Sequence, residues 1–340
     1  MVYLEILIPT YNRPIQFTHC LISIIRSILI LPEAERSKIG ISVRNNSSKS
    51  INLYKKIIKK YSKVFKNYNL AYFKYSITGI NIGSPKNIWH GFKNVKAKYV
   101  WVLPDDDIAR FDSLHILIKT LKNYNPSFIY GGCKSKSYIK KYNSNQISND
   151  DNKKNKILDI TYKRNKIRKF LLSGNTVQLQ EYVYKSDIVK KFLKLNINSN
   201  FIHDMTPGII AIYSLHNNKG PLIRFNKSIG IFRHGNDHQS DWRHLWWKFA
   251  LIDWPIFSKK MYEKKWLNIE VFKISQKVFT HILKNLCWRL DILLGLNFRC
   301  KINPFLLYKF HGYNYVFTLI KSPFAILYEI PKRILINFIK

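Results

Sequence analysis

Hydrophobic residues occur in short blocks along the first hundred positions, and each block ends at a polar or turn-forming cluster. Residues 1–10 read as a first strand, with Ile6 and Ile8 alternating against Leu7 ahead of Pro9. The turn Tyr11, Asn12, Arg13, Pro14 then opens a largely apolar helical run over 15–31. A short strand over 39–43 ends in Arg44, Asn45, Asn46, Ser47 and Ser48, and a basic helical pattern follows over 53–65. A third strand over 70–75 leads to Ile80, Asn81, Ile82, Gly83 and Ser84 and a short helix carrying Asn87; a fourth occupies 99–103. Strands alternating with helices at this spacing predict a parallel, doubly wound sheet, in which loops after separate strands converge on one ligand.

The fourth block changes the picture, because YVWVLPDDDI stops at Pro104 and delivers Asp105, Asp106 and Asp107 in a row. Proline cannot donate to a ladder, so the aspartates belong on the turn beyond the strand's carboxyl end, the edge where open α/β sheets bind ligands. Adjacent carboxylates repel unless a cation, hydrogen-bond donors or protonation relieves them. Hard oxygen ligands suit Mg²⁺ or Mn²⁺ held together with substrate phosphates. The competing reading is a solvated acidic turn or a helix N-cap.

Four motifs in order, IPTYNRP (8–14), VRNNSS (43–48), NIGSPKN (81–87) and VLPDDD (102–107), resemble the nucleotide-sugar half of a family 2 glycosyltransferase. The resemblance implies an α/β GT-A fold, a Rossmann-like, mostly parallel sheet flanked by helices. It implies that Pro9, Thr10, Tyr11, Asn12 and Arg13 line the nucleotide pocket, with Asn87 also on the donor. Asn45 stands where relatives carry an Asp that hydrogen-bonds the base; an amide offers a donor and an acceptor but no charge, which weakens the expectation of uracil. The D-x-D carboxylates, on ribose and on a metal bridging the diphosphate, map to Asp105 and Asp107, with Asp106 in reserve; Asp107 is the first choice for metal.

Sugar transfer from such a donor needs a general base to deprotonate the acceptor hydroxyl. Asp204, in FIHDM, follows a strand-like segment (177–184) and precedes an apolar helical run (209–215), where relatives place their catalytic acid. Its alternative role is that of an N-cap. After the segment 222–232 comes Arg233, His234, Gly235, Asn236, Asp237, His238, expected as a loop over the donor with His234 contacting donor or metal; an ordinary loop histidine is the alternative.

The expected organisation is a catalytic domain over 1–238 and a helical, basic and aromatic region over 239–340. The first comprises a nucleotide-sugar half (1–133), a linker or mobile insertion (134–156) rich in Lys, Asn and Ser, and an acceptor half (157–238). Four scattered cysteines, Cys20, Cys133, Cys287 and Cys300, form no paired-ligand motif, which fits reduced thiols in the cytoplasm. Arg26 interrupts the only early apolar run, so a cleaved signal peptide is not expected.

The formal charge is +37 in 340 residues. Part of it follows from a chain rich in Lys, Asn and Ile throughout. Part falls from Asp241 onward, where Trp242, Trp246, Trp247, Trp254, Trp266 and Trp288 interleave with Lys and Arg; such a face packs against the catalytic domain in some segments and suits an anionic membrane surface in others, with 304–340 the expected membrane contact. Lys321, Pro323, Glu329 and Pro331 break any spanning window there. The expected enzyme is therefore peripheral on the inner face of the cell membrane. It takes a nucleoside-diphosphate sugar and a glycan or lipid-linked acceptor, with Mn²⁺ or Mg²⁺. A nucleic-acid-binding protein would share the basic-aromatic footprint but leaves the motifs unexplained; a non-catalytic scaffold of the same fold is the other alternative.

Overall fold

The computed structural model describes residues 1–131, 133–137, 182–195, 220–225, 229–234 and 254–267, with positions 210, 213, 214, 269, 272, 273 and 316. The first strand, β1 (Leu4–Thr10), is buried at all seven positions, as the centre of a sheet covered on both faces must be. Even Glu5 is buried there; its carboxylate accepts the Tyr72 hydroxyl and, at 3.0 Å, the Lys96 N–H. Helix α1 (Pro14–Leu29) starts on a proline, whose missing N–H would be unpaired in the first turn anyway. It buries Phe17, Cys20, Leu21, Ile24 and Ile28, a stripe at three- and four-residue spacing.

After the short α2 (Glu33–Arg36) come β2 (Ile39–Asn45), α3 (Ile51–Asn67), β3 (Tyr72–Ile77), α4 (Ser84–Lys93) and β4 (Tyr99–Val102). Then follow β5 (Ile108–Ala109), α5 (Ser113–Tyr124), β6 (Phe128–Tyr130), β7 (Cys133–Ser137), β8 (Tyr182–Lys185), α6 (Ser186–Leu193), β9 (Leu222–Arg224), β10 (Gly230–His234) and α7 (Trp254–Glu263). Among the described residues the main sheet has the order β3-β2-β1-β4-β8-β6-β9, with β8 antiparallel to both neighbours and the other pairs parallel. The chain steps outward from β1 to β2 and β3 on one side and returns to β4 on the other. This leaves a topological switch point between β1 and β4, where such sheets open a ligand crevice. Helices α1, α3 and α5 share one face, and α4 meets α6 on the other.

A small second sheet, β5-β10-β7, takes the chain directly after the acidic turn: Ile108 pairs with Ile231 in antiparallel register, and β10 runs parallel to β7. The chain divides into two compact units, 1–167 with 176–236, and 168–175 with 237–340. In the second unit α7 buries Phe257 and Met261, and the following turn buries Trp266 and Leu267.

Several boundaries differ from expectation. The third strand lies two residues later than 70–75, because Asn69 turns the chain in the left-handed region (φ 56°) and pairing with β2 starts at Tyr72. The segment 222–232 is two strands in two different sheets. Arg233 and His234, expected in a loop, are the last residues of β10, laddered to Lys136 and Ser137. Those partners also make the start of the expected linker a strand. Residues 138–156, 177–181 and the FIHDM segment lie outside the described residues.

Candidate active site

Four loops leave the carboxyl ends of β1, β2, β3 and β4, and hydrogen bonds tie them into one rim. The first two are joined by the Asn12 N–H donating to Ser48 Oγ (2.9 Å), the Lys49 N–H donating to Asn12 Oδ1 (2.7 Å) and the Asn46 N–H donating to the Thr10 carbonyl (2.9 Å). Asn12 at φ 53° and Ser47 at φ 56° adopt the left-handed conformation that short polar side chains tolerate. Asn46 fastens the third loop: its Oδ1 accepts the Ile82 N–H (2.9 Å), and its amide donates to Asn81 Oδ1 (2.6 Å). Gly83, at φ 81°, then turns the chain into α4.

The fourth loop carries the carboxylates. Leu103 continues the β4 ladder to the Leu7 carbonyl, and the Asp105 N–H donates to the Pro9 carbonyl at 3.3 Å, so the first aspartate is held against the end of β1. The Thr10 hydroxyl donates to Asp105 Oδ2 at 2.5 Å, and the Tyr11 N–H reaches the same oxygen at 3.4 Å. Arg13 completes the group: its guanidinium donates to Asp106 and approaches Asp105 Oδ1 at 3.5 Å. Asp105 and Asp107 are buried (3% and 2% exposed), while Asp106 stays partly open to solvent.

The electrostatics follow from that burial. Burial, and after it the Asp106 charge, pushes the Asp105 carboxyl up to about 7, against the pull of Arg13 and the Thr10 and Tyr11 hydrogen bonds. Burial also works against the charge on Arg13, yet Asp106, Asp105 and Asp107 outweigh it and hold the guanidinium above its ordinary value. One arginine therefore sits on a carboxylate cluster that would otherwise repel itself.

Tyr54, on α3, stands behind this group and was not picked out from the sequence. Its hydroxyl oxygen accepts the Arg13 N–H (2.8 Å) and lies 2.7 Å from Thr10 Oγ1. Thr10 has one proton and gives it to Asp105, so Tyr54 donates to Thr10. Burial, then the Asp105 charge, pushes Tyr54 up to about 12, keeping that proton in place. Nothing in the local pattern separates Tyr54 from Tyr61 or Phe65 on the same buried face.

Of the expected donor residues, Pro9, Thr10, Tyr11, Asn12 and Arg13 lie together on the rim, and Tyr11 is 36% exposed there. Asn45 is fully buried, with its amide donating to the Tyr75 hydroxyl (3.0 Å) and its Oδ1 accepting the Ser48 N–H (2.8 Å). Asn87 is buried too; its amide donates to the Arg44 carbonyl (3.0 Å), and Arg44 Nε donates back to the Asn87 carbonyl (3.1 Å). Asn45 thus braces the end of β2 against β3 and its own loop, and Asn87 ties α4 to β2. The antiparallel register of β5 and β10 directs the backbone of Arg233 and His234 back along the acidic turn. Asp204 lies outside the described residues.

A divalent cation fits this donor set. Among the described residues no three His, Cys, Asp or Glu side chains converge as a self-sufficient metal cage. Mg²⁺ and Mn²⁺ need none in such sites, since one or two carboxylates plus substrate phosphates suffice, and Asp105 to Asp107 supply those.

The sequence model of the family described as "Glycosyl transferase family 2" matches residues 5–182, a span that takes in all four rim loops. The chain belongs to glycosyltransferase family 2. No curated protein matches it. Among solved structures, S. aureus TarS 1–349 shares 14% identity at a TM-score of 0.55, with 95% of this chain and 83% of that chain covered. The same protein in complex with UDP gives 13% identity and a TM-score of 0.54 over 95% and 83%. In complex with UDP-GlcNAc it gives 14% and 0.52 over 95% and 91%. The likeness establishes the GT-A fold of this family 2 enzyme.

Proposed function

We propose that this glycosyltransferase is a metal-assisted, inverting enzyme that moves a sugar from a nucleoside diphosphate to a hydroxyl of a glycan or lipid-linked acceptor. Its setting is synthesis of a bacterial surface polysaccharide, on the cytoplasmic side of the membrane. The observation that carries the reading is the meeting of Thr10, Arg13 and Asp105 to Asp107 at the β1–β4 switch point. The same reading takes 1–238 as the catalytic domain, with the donor in its first half and the acceptor in 157–238, and on the pattern of its sequence assigns 304–340 to contact with anionic lipid.

In this reading Asp107 and Asp105 would hold Mn²⁺ or Mg²⁺, which would supply a Lewis acid to the charge that grows on the leaving diphosphate. Asp105, fixed by Thr10, faces the ribose. Arg13 shifts its hydrogen bonds from Asp106 towards phosphate oxygen as negative charge accumulates there. Asn45 shapes the base pocket by fixing Ser48 and Tyr75. Asp204 accepts the proton of the acceptor hydroxyl; the acceptor oxygen attacks the anomeric carbon from the face opposite the diphosphate, whose C–O bond breaks with inversion. His234, whose backbone ends β10, is assigned a contact with donor or metal.

TarS, bound to UDP and to UDP-GlcNAc in its solved complexes, makes a uridine donor the first to test. Calorimetric titration with UDP, GDP, CDP and TDP, each with and without Mn²⁺, is expected to show one tight, metal-dependent ligand that Asp107→Ala no longer binds. Failure of folded wild-type protein to bind any of the four would overturn the reading. Asp204→Ala is expected to retain that binding and lose transfer; transfer at the wild-type rate would remove its role as base.

A further inference from the structure

Between residues 37 and 104 the chain has fourteen Lys and Arg and no Asp or Glu, and the structure gathers the densest part of this stretch on one helix. Six lysines, Lys55, Lys56, Lys59, Lys60, Lys63 and Lys66, lie on the half of α3 opposite the buried Tyr54, Tyr61 and Phe65, and all six are exposed, with the Lys60 ammonium 5.6 Å from the centre of the Tyr61 ring. Among the described residues no carboxylate forms an ion pair with any of the six. Leu53 projects at the amino-terminal end, 46% exposed.

We propose that this lysine face of α3 is a docking surface for an anionic lipid bilayer. The chemistry of the face selects that partner. Every cation on it is a lysine, a point charge without the planar fork that arginine offers to a single phosphate. No aromatic side chain stands on the exposed half of α3, so there is no platform on which bases could stack. The face is a convex cylinder of one sign of charge, suited to a plane of anionic headgroups and to no single bound group. Its spacing of four, four and three residues from Lys55 through Lys59 and Lys63 to Lys66 keeps the charges on one line along a helix about 25 Å long.

The placement also has a consequence for the site. Helix α3 begins five residues after Asn46, whose loop forms the rim, so a bilayer lying along α3 reaches Lys49 at the edge of the crevice. An acceptor carried on lipid would be presented there. The contact is separate from the one assigned to 304–340 and does not depend on the transfer chemistry.

The test is co-sedimentation of the full chain with vesicles of phosphatidylcholine containing about a third phosphatidylserine, in 0.1 M NaCl, for wild type and K55Q/K59Q/K63Q. A lysine near such a surface is worth about fivefold in partitioning, so the triple variant is expected to bind about a hundredfold more weakly. K190Q/K191Q/K194Q, which removes three exposed lysines from α6 and the turn after it, changes net charge equally and is expected to stay within about threefold of wild type. An unchanged partition in the α3 variant, or an equal loss in both variants, would overturn the proposal. So would tight binding of wild type to inorganic polyphosphate without binding to the vesicles, which would assign the face to a soluble polyanion. Glutamine is a good helix former at these exposed positions, and an unchanged melting temperature verifies that each variant is folded.

Discussion

The rim depends on a directed relay in which Arg13 N–H, Tyr54 hydroxyl and Thr10 hydroxyl each donate to the next and the last donates to Asp105. Tyr54→Phe removes the middle of it, leaving a backbone donor without an acceptor, a change worth about 1–3 kcal/mol. The donor KM is expected to rise about tenfold with kcat less affected, measured well below the melting temperature; an unchanged KM there would reduce Tyr54 to a packing residue. Asp105 supplies a second prediction. Its folded-state affinity for a proton (about 7) exceeds that of an unfolded aspartate, so its contribution to stability is fully present below about pH 4 and is lost as pH rises through 7. In EDTA, the melting temperature of Asp105→Asn minus that of wild type is therefore expected to grow from pH 5 to pH 8. A difference that stays flat or shrinks would show that the folded carboxyl titrates like an exposed one.

At the scale of elements, the site is as precise as the parallel strands beneath it. Gly40 on β2 faces the Tyr72 ring on β3, and a Cβ at that position would lie 2.2 Å from the ring. Gly40→Ala must push Tyr72 off the Glu5 carboxylate, and overpacking of this kind costs about 1–3 kcal/mol. A fall in melting temperature with an unchanged donor KM is expected, because the collision lies at the end of β2 far from Asn45; a change in KM instead would mean that register errors at one end of β2 propagate to the other. The strands β1 to β4 were legible in the sequence because each is a local apolar block stopped by a polar turn. The rim residues of IPTYNRP and VLPDDD were legible because chemistry and position coincide there. Tyr54 was not, since a buried tyrosine on an amphipathic helix looks like any core residue until its hydroxyl's neighbours are known. The division of 222–232 between two sheets was hidden for a related reason: strand partners lie a hundred residues away, and alternation within the segment says nothing about which sheet receives it.

For the whole molecule, the charge divides into two populations that salt should separate. The Arg13–Asp105–Asp106 group is largely enclosed by protein, where mobile ions screen weakly, whereas the α3 lysines stand in solvent. Raising ionic strength from 0.1 M to 1 M shortens the Debye length from about 10 Å to about 3 Å, which removes most of the attraction between exposed lysines and an anionic surface and little of the interaction inside the site. Initial rates with a lipid-borne acceptor in anionic vesicles are therefore expected to fall more than tenfold over that range. Rates with a short, water-soluble acceptor, at saturating donor and metal, should change by no more than about twofold, because neither substrate then needs the surface. Equal losses for the two acceptors would place the salt-sensitive step inside the crevice, and the positive charge outside it would have no part in turnover.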